Sequence, residues 1–378
     1  MSMSFNGTNG LTFNDGSSQA TAATGFGFKN RIINGAMQID QRNAGASASF
    51  SASATYFLDR FKAWGNISTG TTVQKVADAP AGFYNSLKVT VGTGATPSGS
   101  DYGRIHQPIE GYNFQDMRWG FSDAKQITIS FWVKSSLTGT FGCGIQGNTY
   151  YYCGSYSISA ANTWEYKTIT ITGYTSGGVA EFPVDSSAGV SVFWDLGDGP
   201  TRSIAANTWT YSASAGLNGL SGGVKVLATS GATWQVTGVQ LEKGSTATSF
   251  DYRPYGTELN LCYRYYYKNK PNGSASAPFI SVGGAATSTT LAAVGTMFPV
   301  PLRITPTALE QSGTAGNYYA WTANDGVKTC TAVPTWSDWT TPTIGWSILT
   351  VAAGLTTGAY AGCRISSDNA YLAWSAEL

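Results

Sequence analysis

An all-β fold is predicted by three features of the chain. Only 11% of its 378 residues are charged, while 46 glycines and 13% aromatics are present. Average globular chains carry about 25% charged residues, and low charge with many Gly, Ser and Thr would also suit disorder. Disordered chains, however, lack aromatic and β-branched residues. Here 12 Trp, 21 Tyr and 17 Phe are spread along most of the length. The third feature is strict alternation of apolar and hydroxyl side chains, the period of a strand with one wet face.

Residues 1–28 are Asn, Gly, Ser, Thr and Ala with isolated Phe5, Leu11, Phe13, Phe26 and Phe28. That is too little apolar material for a separate core. The segment is either a loose tail or an extended anchor whose phenylalanines pack on another chain. From Lys29 the texture changes to Asn30-Arg31-Ile32-Ile33-Asn34-Gly35-Ala36-Met37-Gln38-Ile39-Asp40-Gln41-Arg42, followed by Thr55-Tyr56-Phe57-Leu58-Asp59-Arg60-Phe61-Lys62-Ala63-Trp64.

Gln126 to Lys134 puts Ile127, Ile129, Phe131 and Val133 on one face, and Tyr166 to Gly173 repeats the pattern. Phe141 to Cys153 reads as a hairpin. In Thr233 to Leu241 the apolar phase changes at Gly238, which predicts a β-bulge. Ala160-Ala161-Asn162-Thr163-Trp164 recurs as Ala205-Ala206-Asn207-Thr208-Trp209. Each copy is expected to be a turn before a strand, with Asn and Thr hydrogen-bonding the turn and Trp anchoring the strand in the core. Beyond Pro254 and Gly256, Thr257 would cap one or two helical turns with Leu259, Cys262, Tyr263 and Tyr266 on one stripe, a strand following; alternatively Tyr263, Tyr265 and Tyr267 alternate as a strand. Pro271 to Pro278 reads as a linker, and about 100 residues form a last β domain.

The string from Gly238 to Gly256, running on to Tyr266, resembles the segment that closes a jelly-roll module in phage tail fibre and tail-associated receptor-binding proteins. Asn30–Arg42 and Thr55–Trp64 resemble that module's opening. Phe298–Thr307 and Tyr371–Leu378 resemble strands of the C-terminal domain. The resemblance thus touches both domains. It implies an all-β protein with a virion-anchoring segment (1–28), a jelly-roll β-sandwich like a carbohydrate-binding module (29–254), a connector (255–278) and a second, smaller β-sandwich that binds the receptor (279–378). It further implies a homotrimer in the virion tail, joined through its N-terminus to other tail or baseplate proteins.

A net charge of +1 gives no basic face for nucleic acid. No run of about 18 apolar residues suggests a membrane span. Cys143, Cys153, Cys262, Cys330 and Cys363 fit no metal spacing; a Cys143–Cys153 bridge is conceivable, and buried thiols are the expectation for a chain without a secretory signal. The one histidine, His106, sits without a nucleophile motif. No cofactor and no metal site are expected. Catalysis would have to use paired carboxylates, for which Glu181, Asp185, Asp195 and Asp198 are the candidates of a glycan depolymerase. Asp195–Pro200 reads equally as a turn, or as a partial calcium loop.

The positive signal is aromatic. Tyr319, Trp321, Trp336, Asp338 and Trp339, together with Trp346, concentrate ring faces and hydrogen-bonding groups among Gly, Thr and Asn, the chemistry that holds a sugar. Trp64, Tyr102, Tyr150, Tyr151, Tyr152 and Trp194 offer the same groups in the jelly roll. The expected function is non-catalytic attachment to a host cell-surface polysaccharide.

Overall fold

A computed structural model describes residues 29–213, 216–270, 278–365 and 370–378, together with the backbone of three short strands near the start. Those strands, Ser4–Asn6, Gly10–Thr12 and Ser18–Gln19, pair antiparallel in order. The phenylalanine side chains of the expected anchor and the linker Pro271–Ala277 lie outside the described residues.

The first large unit is a β-sandwich. One sheet has six strands in the order Glu165–Ile171, Ile127–Ser135, Thr233–Lys243, Ser86–Thr90, Thr72–Val76 and Ala48–Ser49. The facing sheet has seven: Trp209–Tyr211, Tyr150–Ile158, Gly139–Gln146, Ala188–Asp195, Gly103–Glu110, Phe61–Gly65 and Thr55–Leu58. The alternating Ile127, Ile129, Phe131 and Val133 meet Phe141, Ile145, Val192 and Trp194 in one continuous core. Burying such faces on both sides is what stabilises two stacked sheets.

The bulge forms where Gly238 predicts it. Ser130 pairs with Gln240 and Trp132 with Thr237, so one residue of Ile127–Ser135 opposes two on the neighbouring strand. Gly238 holds a φ of 61°, and a Cβ there would lie 2.7 Å from the Phe83 ring. The two Ala-Ala-Asn-Thr-Trp copies form the same turn. Asn162 and Asn207 are both left-handed, with φ of 57° and 59°. Their N–H groups donate to the carbonyls of Ser135 and Cys153 at 2.7 and 2.8 Å. The tryptophans then diverge. Trp209 packs against the core, whereas Trp164 bonds Asp78 and lies beside Lys134.

A helix, Tyr255–Tyr263, follows Pro254, whose carbonyl accepts from the N–H of Thr257 and Glu258. It starts two residues before the expected Thr257 cap, because Pro254 itself supplies a fixed φ at the helix entrance. The strand Tyr266–Asn269 then pairs with Leu372–Ser375, which also pairs with Glu310–Gln311. This small sheet covers a seven-stranded sheet ordered Gly326–Thr329, Tyr318–Thr322, Tyr360–Ile365, Gly283–Ala286, Leu291–Met297, Ile344–Thr350 and Thr335–Trp336. Between them lies a second core of Tyr318, Leu349, Ile365 and Trp374, among others. Phe298–Thr307 is not a strand. Pro299, Pro301 and Pro306 deprive it of ladder donors, and Phe298 and Leu302 instead plug the second core.

All five cysteines are free and buried. Alternation explains why Cys143 and Cys153 do not bridge. Cys143 pairs with Gly154 and Gly144 with Cys153, which sends the two thiols to opposite faces of the sheet. Cys143 enters the main core, and Cys153 enters a separate cluster with Phe193, Ile204 and Leu220. Among the described residues no helix is long and apolar enough to cross a membrane.

Candidate functional site: an aromatic face on the C-terminal sheet

The seven-stranded C-terminal sheet has one face in the second core and one turned away from it. Along Tyr318–Thr322 the residues Tyr318, Ala320 and Thr322 are buried, so Tyr319 and Trp321 stand on the other face. Along Tyr360–Ile365 the same alternation buries Ala361, Cys363 and Ile365 and turns Tyr360, Gly362 and Arg364 outward. Trp346 projects outward between the buried Gly345 and Ser347.

Glycines floor this face. Trp321 pairs with Gly362, Gly283 with Gly295, and Gly295 with Trp346. Aromatic rings lie over them. A Cβ on Gly362 would come within 2.9 Å of the Phe279 ring, and one on Gly283 within 2.4 Å of the Tyr360 hydroxyl. Ring packing over strand glycines covers backbone that would otherwise be bare. Phe279, Trp321 and Tyr360 form one cluster, with centroids 5.4 and 6.2 Å apart and near-perpendicular planes. Arg364 stacks on Phe279 at 5.3 Å. Four strand spacings away, roughly 19 Å at about 4.8 Å each, Trp339 meets Trp346 edge-on at 5.7 Å.

These rings are open to solvent: Trp339 is 55% exposed, Tyr360 54% and Phe279 51%. Trp339 sits on a turn rather than a strand. The hydroxyl of Ser337 accepts from its N–H, and Thr340 binds the backbone of Trp346 in both directions. Hence the turn is fixed while the indole is free.

Of the residues predicted from sequence, Tyr319 and Trp321 lie on this face, and Asp338 and Trp339 are exposed on the turn beside it. Trp336 does not join them. It pairs with Ser347, whose side chain points inward, and its indole N–H donates to the Pro306 carbonyl at 3.0 Å. Trp346, named with the cluster from sequence, also lies on this face, whereas Phe279 and Tyr360 were not singled out. Their signal was the alternation of Gly with aromatics in neighbouring strands, which becomes a site only once strand order is known. In the jelly roll, Trp194, Tyr151 and Tyr152 are buried. Trp64 and Tyr102 form an edge-on pair at 5.1 Å, and Tyr150 packs on Tyr174 and Tyr211.

The carboxylates considered for catalysis are held by their surroundings. Glu181 accepts from the N–H groups of Thr149 and Tyr150 and from the Thr149 hydroxyl. Asp185 accepts from the N–H and hydroxyl of Ser187. Asp195 accepts from the N–H groups of Gly197, Asp198 and Leu220 and from Lys225 Nζ at 2.7 Å. Asp198 is fully buried; one oxygen accepts from the Gly103 N–H at 2.9 Å, and Arg104 stands 3.9 Å from the other. Burial drives the Asp198 carboxyl above its usual range despite that guanidinium. His106 is buried beneath Trp64, and burial holds its imidazole well below the usual histidine value. Among the described residues no three His, Cys, Asp or Glu side chains gather as a metal site.

No protein-family model matches the chain, and no curated protein does so. Solved structures similar to it include the enzymatically active domain of tailspike protein 4 of bacteriophage CBA120 (12% identity, TM-score 0.31, 57% of this chain). The alignment spans only 22% of that tailspike. Others are the Family 11 Carbohydrate-Binding Module of a Clostridium thermocellum cellulase (13%, TM-score 0.26, 54% of this chain and 98% of the module), and the CBM22-1 xylan-binding domain from Paenibacillus barcinonensis (13%, TM-score 0.25, 54% and 99%). All are distant, and no assignment follows from them.

Proposed function

We propose that this chain is a non-catalytic attachment protein of a phage tail that holds a host cell-surface glycan on the outer face of its C-terminal sheet. The observation that carries this reading is the set of exposed rings over strand glycines, with the exposed Asp338 next to Trp339. Sugar rings offer C–H faces to aromatics, and rigid sheets with fixed turns keep the ordering cost of binding low. The resemblance of both domains to tail receptor-binding proteins supports the same function. It also motivates a homotrimer docked to other tail proteins through its N-terminus, which light scattering of the full chain at micromolar concentration would test; a monomer would defeat it.

A microarray of bacterial surface polysaccharides probed with the full-length chain tests the attachment reading. Binding that falls by about one to two decades in Trp339→Ala or Trp321→Ala supports it, since an aromatic anchor contributes roughly 1–3 kcal/mol. Unchanged binding in both variants would place the receptor elsewhere. The second reading, a depolymerase, rests on Asp198, which lines a cleft of about 290 Å³ with Ser203 and Lys225 and whose carboxyl is raised by burial. Sustained release of reducing ends, abolished in Asp198→Asn, would establish it.

A further inference from the structure

A groove of about 600 Å³ crosses the outer face of the six-stranded sheet of the first domain. One wall is the cross-strand pair Trp132 and Tyr166, with rings 5.4 Å apart. The other is a mutual cluster of Phe83, Phe250 and Tyr252 at 4.8–5.5 Å. Ser130 and Gly238 lie at the floor, and Ala247, Thr248 and Ser249 line the loop side.

The wall is preformed. On the outer face of the Thr233–Lys243 strand, Gln240 and Glu242 are buried polar side chains that reach into the following loop. Glu242 accepts from the Thr248 N–H and hydroxyl at 2.8 and 2.7 Å, and the Gln240 carbonyl accepts from the Asp251 N–H at 2.8 Å. The Tyr252 hydroxyl donates to the Gly82 carbonyl at 2.6 Å, closing the loop onto the Phe83 turn. The bulge at Gly238 leaves room for the Phe83 ring against the strand. Tyr166 and Tyr252 stay open, at 43% and 55% exposure.

The volume falls inside the range of about 300–1,000 Å³ typical of small-ligand sites. No Asp, Glu, Lys or Arg lines it. Lys29 and Glu242, of opposite charge, both bond the Thr248 hydroxyl on the loop side. An ionised ligand would therefore lose hydration without a charged partner, which is costly. A purely apolar ligand would leave the hydroxyls of Ser130 and Ser249 unused. Two ring walls with an uncharged, hydroxyl-bearing floor suit a neutral oligosaccharide, whose C–H faces stack while its hydroxyls exchange hydrogen bonds.

We propose that this groove is a second glycan site, specific for neutral hexose chains, on a different domain from the aromatic face described above. It shares with that reading only the premise that the protein binds sugars, and the variants separate the two sites. The full-length chain is titrated by calorimetry with neutral gluco-, manno- and galacto-tetrasaccharides and with a tetramer of galacturonic acid. At least one neutral tetrasaccharide is expected to bind, tenfold or more tighter than the acidic one. Trp132→Ala and, should that variant fold poorly, Tyr166→Ala weaken binding tenfold or more, while Tyr112→Ala, an exposed ring outside both sites, leaves it unchanged. Absence of binding by every neutral probe, equal binding of the acidic tetramer, or loss in Trp339→Ala alone would overturn the groove. In that last outcome the C-terminal face would stand as the glycan site; loss in Trp132→Ala alone would establish the groove, and the polysaccharide array decides the C-terminal face separately.

Discussion

Two regions of this molecule are built on opposite rules. At the junction of the two sandwiches, charged and polar side chains are buried in ion pairs and hydrogen bonds, though Asp59 Oδ1 and Arg60 Nε lack a hydrogen-bond partner among the described residues. On the aromatic faces, rings are exposed, and the polar contacts of Tyr252 and Tyr360 run to the backbone carbonyls of Gly82 and Val282. The junction draws on the most distinctive strings of the sequence. Arg60, fully buried, forms an ion pair with Glu377, donates to the Pro108 carbonyl at 2.6 Å and stacks on Tyr265 at 3.5 Å. Arg264 grips Glu110 through two nitrogens at 2.5 and 2.9 Å, and the Tyr265 hydroxyl donates to the same carboxylate. Arg303 donates to the carbonyls of Ser186, Ala376 and Glu377. Asn34, in a left-handed conformation, binds the backbone of Ile39 and Asp59. Ile33 and Ile39 pack there against Cys262 and Tyr265. The strings that look most like signatures thus encode a domain junction, because a buried polar network tolerates few alternatives at any position. A shallow aromatic face needs only rings in roughly the right rows.

Replacing a junction residue should therefore cost the most. Arg60→Ala leaves Glu377 buried without its closest cation, and a loss of about 3–5 kcal/mol is expected. Chemical denaturation followed by tryptophan fluorescence measures it; a change under about 1 kcal/mol would mean the junction is not a stability element. Gly238→Ala comes next, with a cost of about 1–3 kcal/mol from the positive φ and the displaced Phe83 ring. That variant should also blunt binding in the groove, since its wall shifts.

The junction also predicts a pH response that the aromatic faces do not. Burial raises the Asp59 carboxyl from 3.8 to about 7, with Arg42 opposing the rise and Glu377 adding to it. Below about pH 4 the group is protonated in folded and unfolded chains alike. Between there and pH 7 only the unfolded chain ionises fully, so the contribution of Asp59 to stability falls as pH rises across that window. The melting temperature should drop by about 2–4 °C for each kcal/mol lost, and Asp59→Asn should flatten that slope. An identical slope in the variant would assign the response to another group. Lys62, which burial lowers to about 8, acts above this window.

The smallest stability effect belongs to the exposed face. Trp339→Ala should shift unfolding by under about 0.5 kcal/mol while lowering glycan affinity. If it melts as early as Arg60→Ala, the comparison fails and the tryptophan is packing rather than contact.

Much of this architecture was legible before any coordinates. Period-two runs such as Ile127–Val133 determine a half-buried strand, because alternate side chains must leave opposite faces. Gly238 at a phase change determines a bulge, and the paired Ala-Ala-Asn-Thr-Trp copies determine a repeated turn, since both properties are local to a few residues. What tertiary structure alone decided was which rows of side chains share a face. Trp321, Trp339 and Trp346 were visible as candidates, but Phe279 and Tyr360 join them only through the pairing of distant strands over Gly362, Gly283 and Gly295. Trp336, three residues from Trp339, turns inward because its partner is the inward side of Ile344–Thr350. Strand order is set by contacts far apart in sequence, and a string of residues carries no direct record of them.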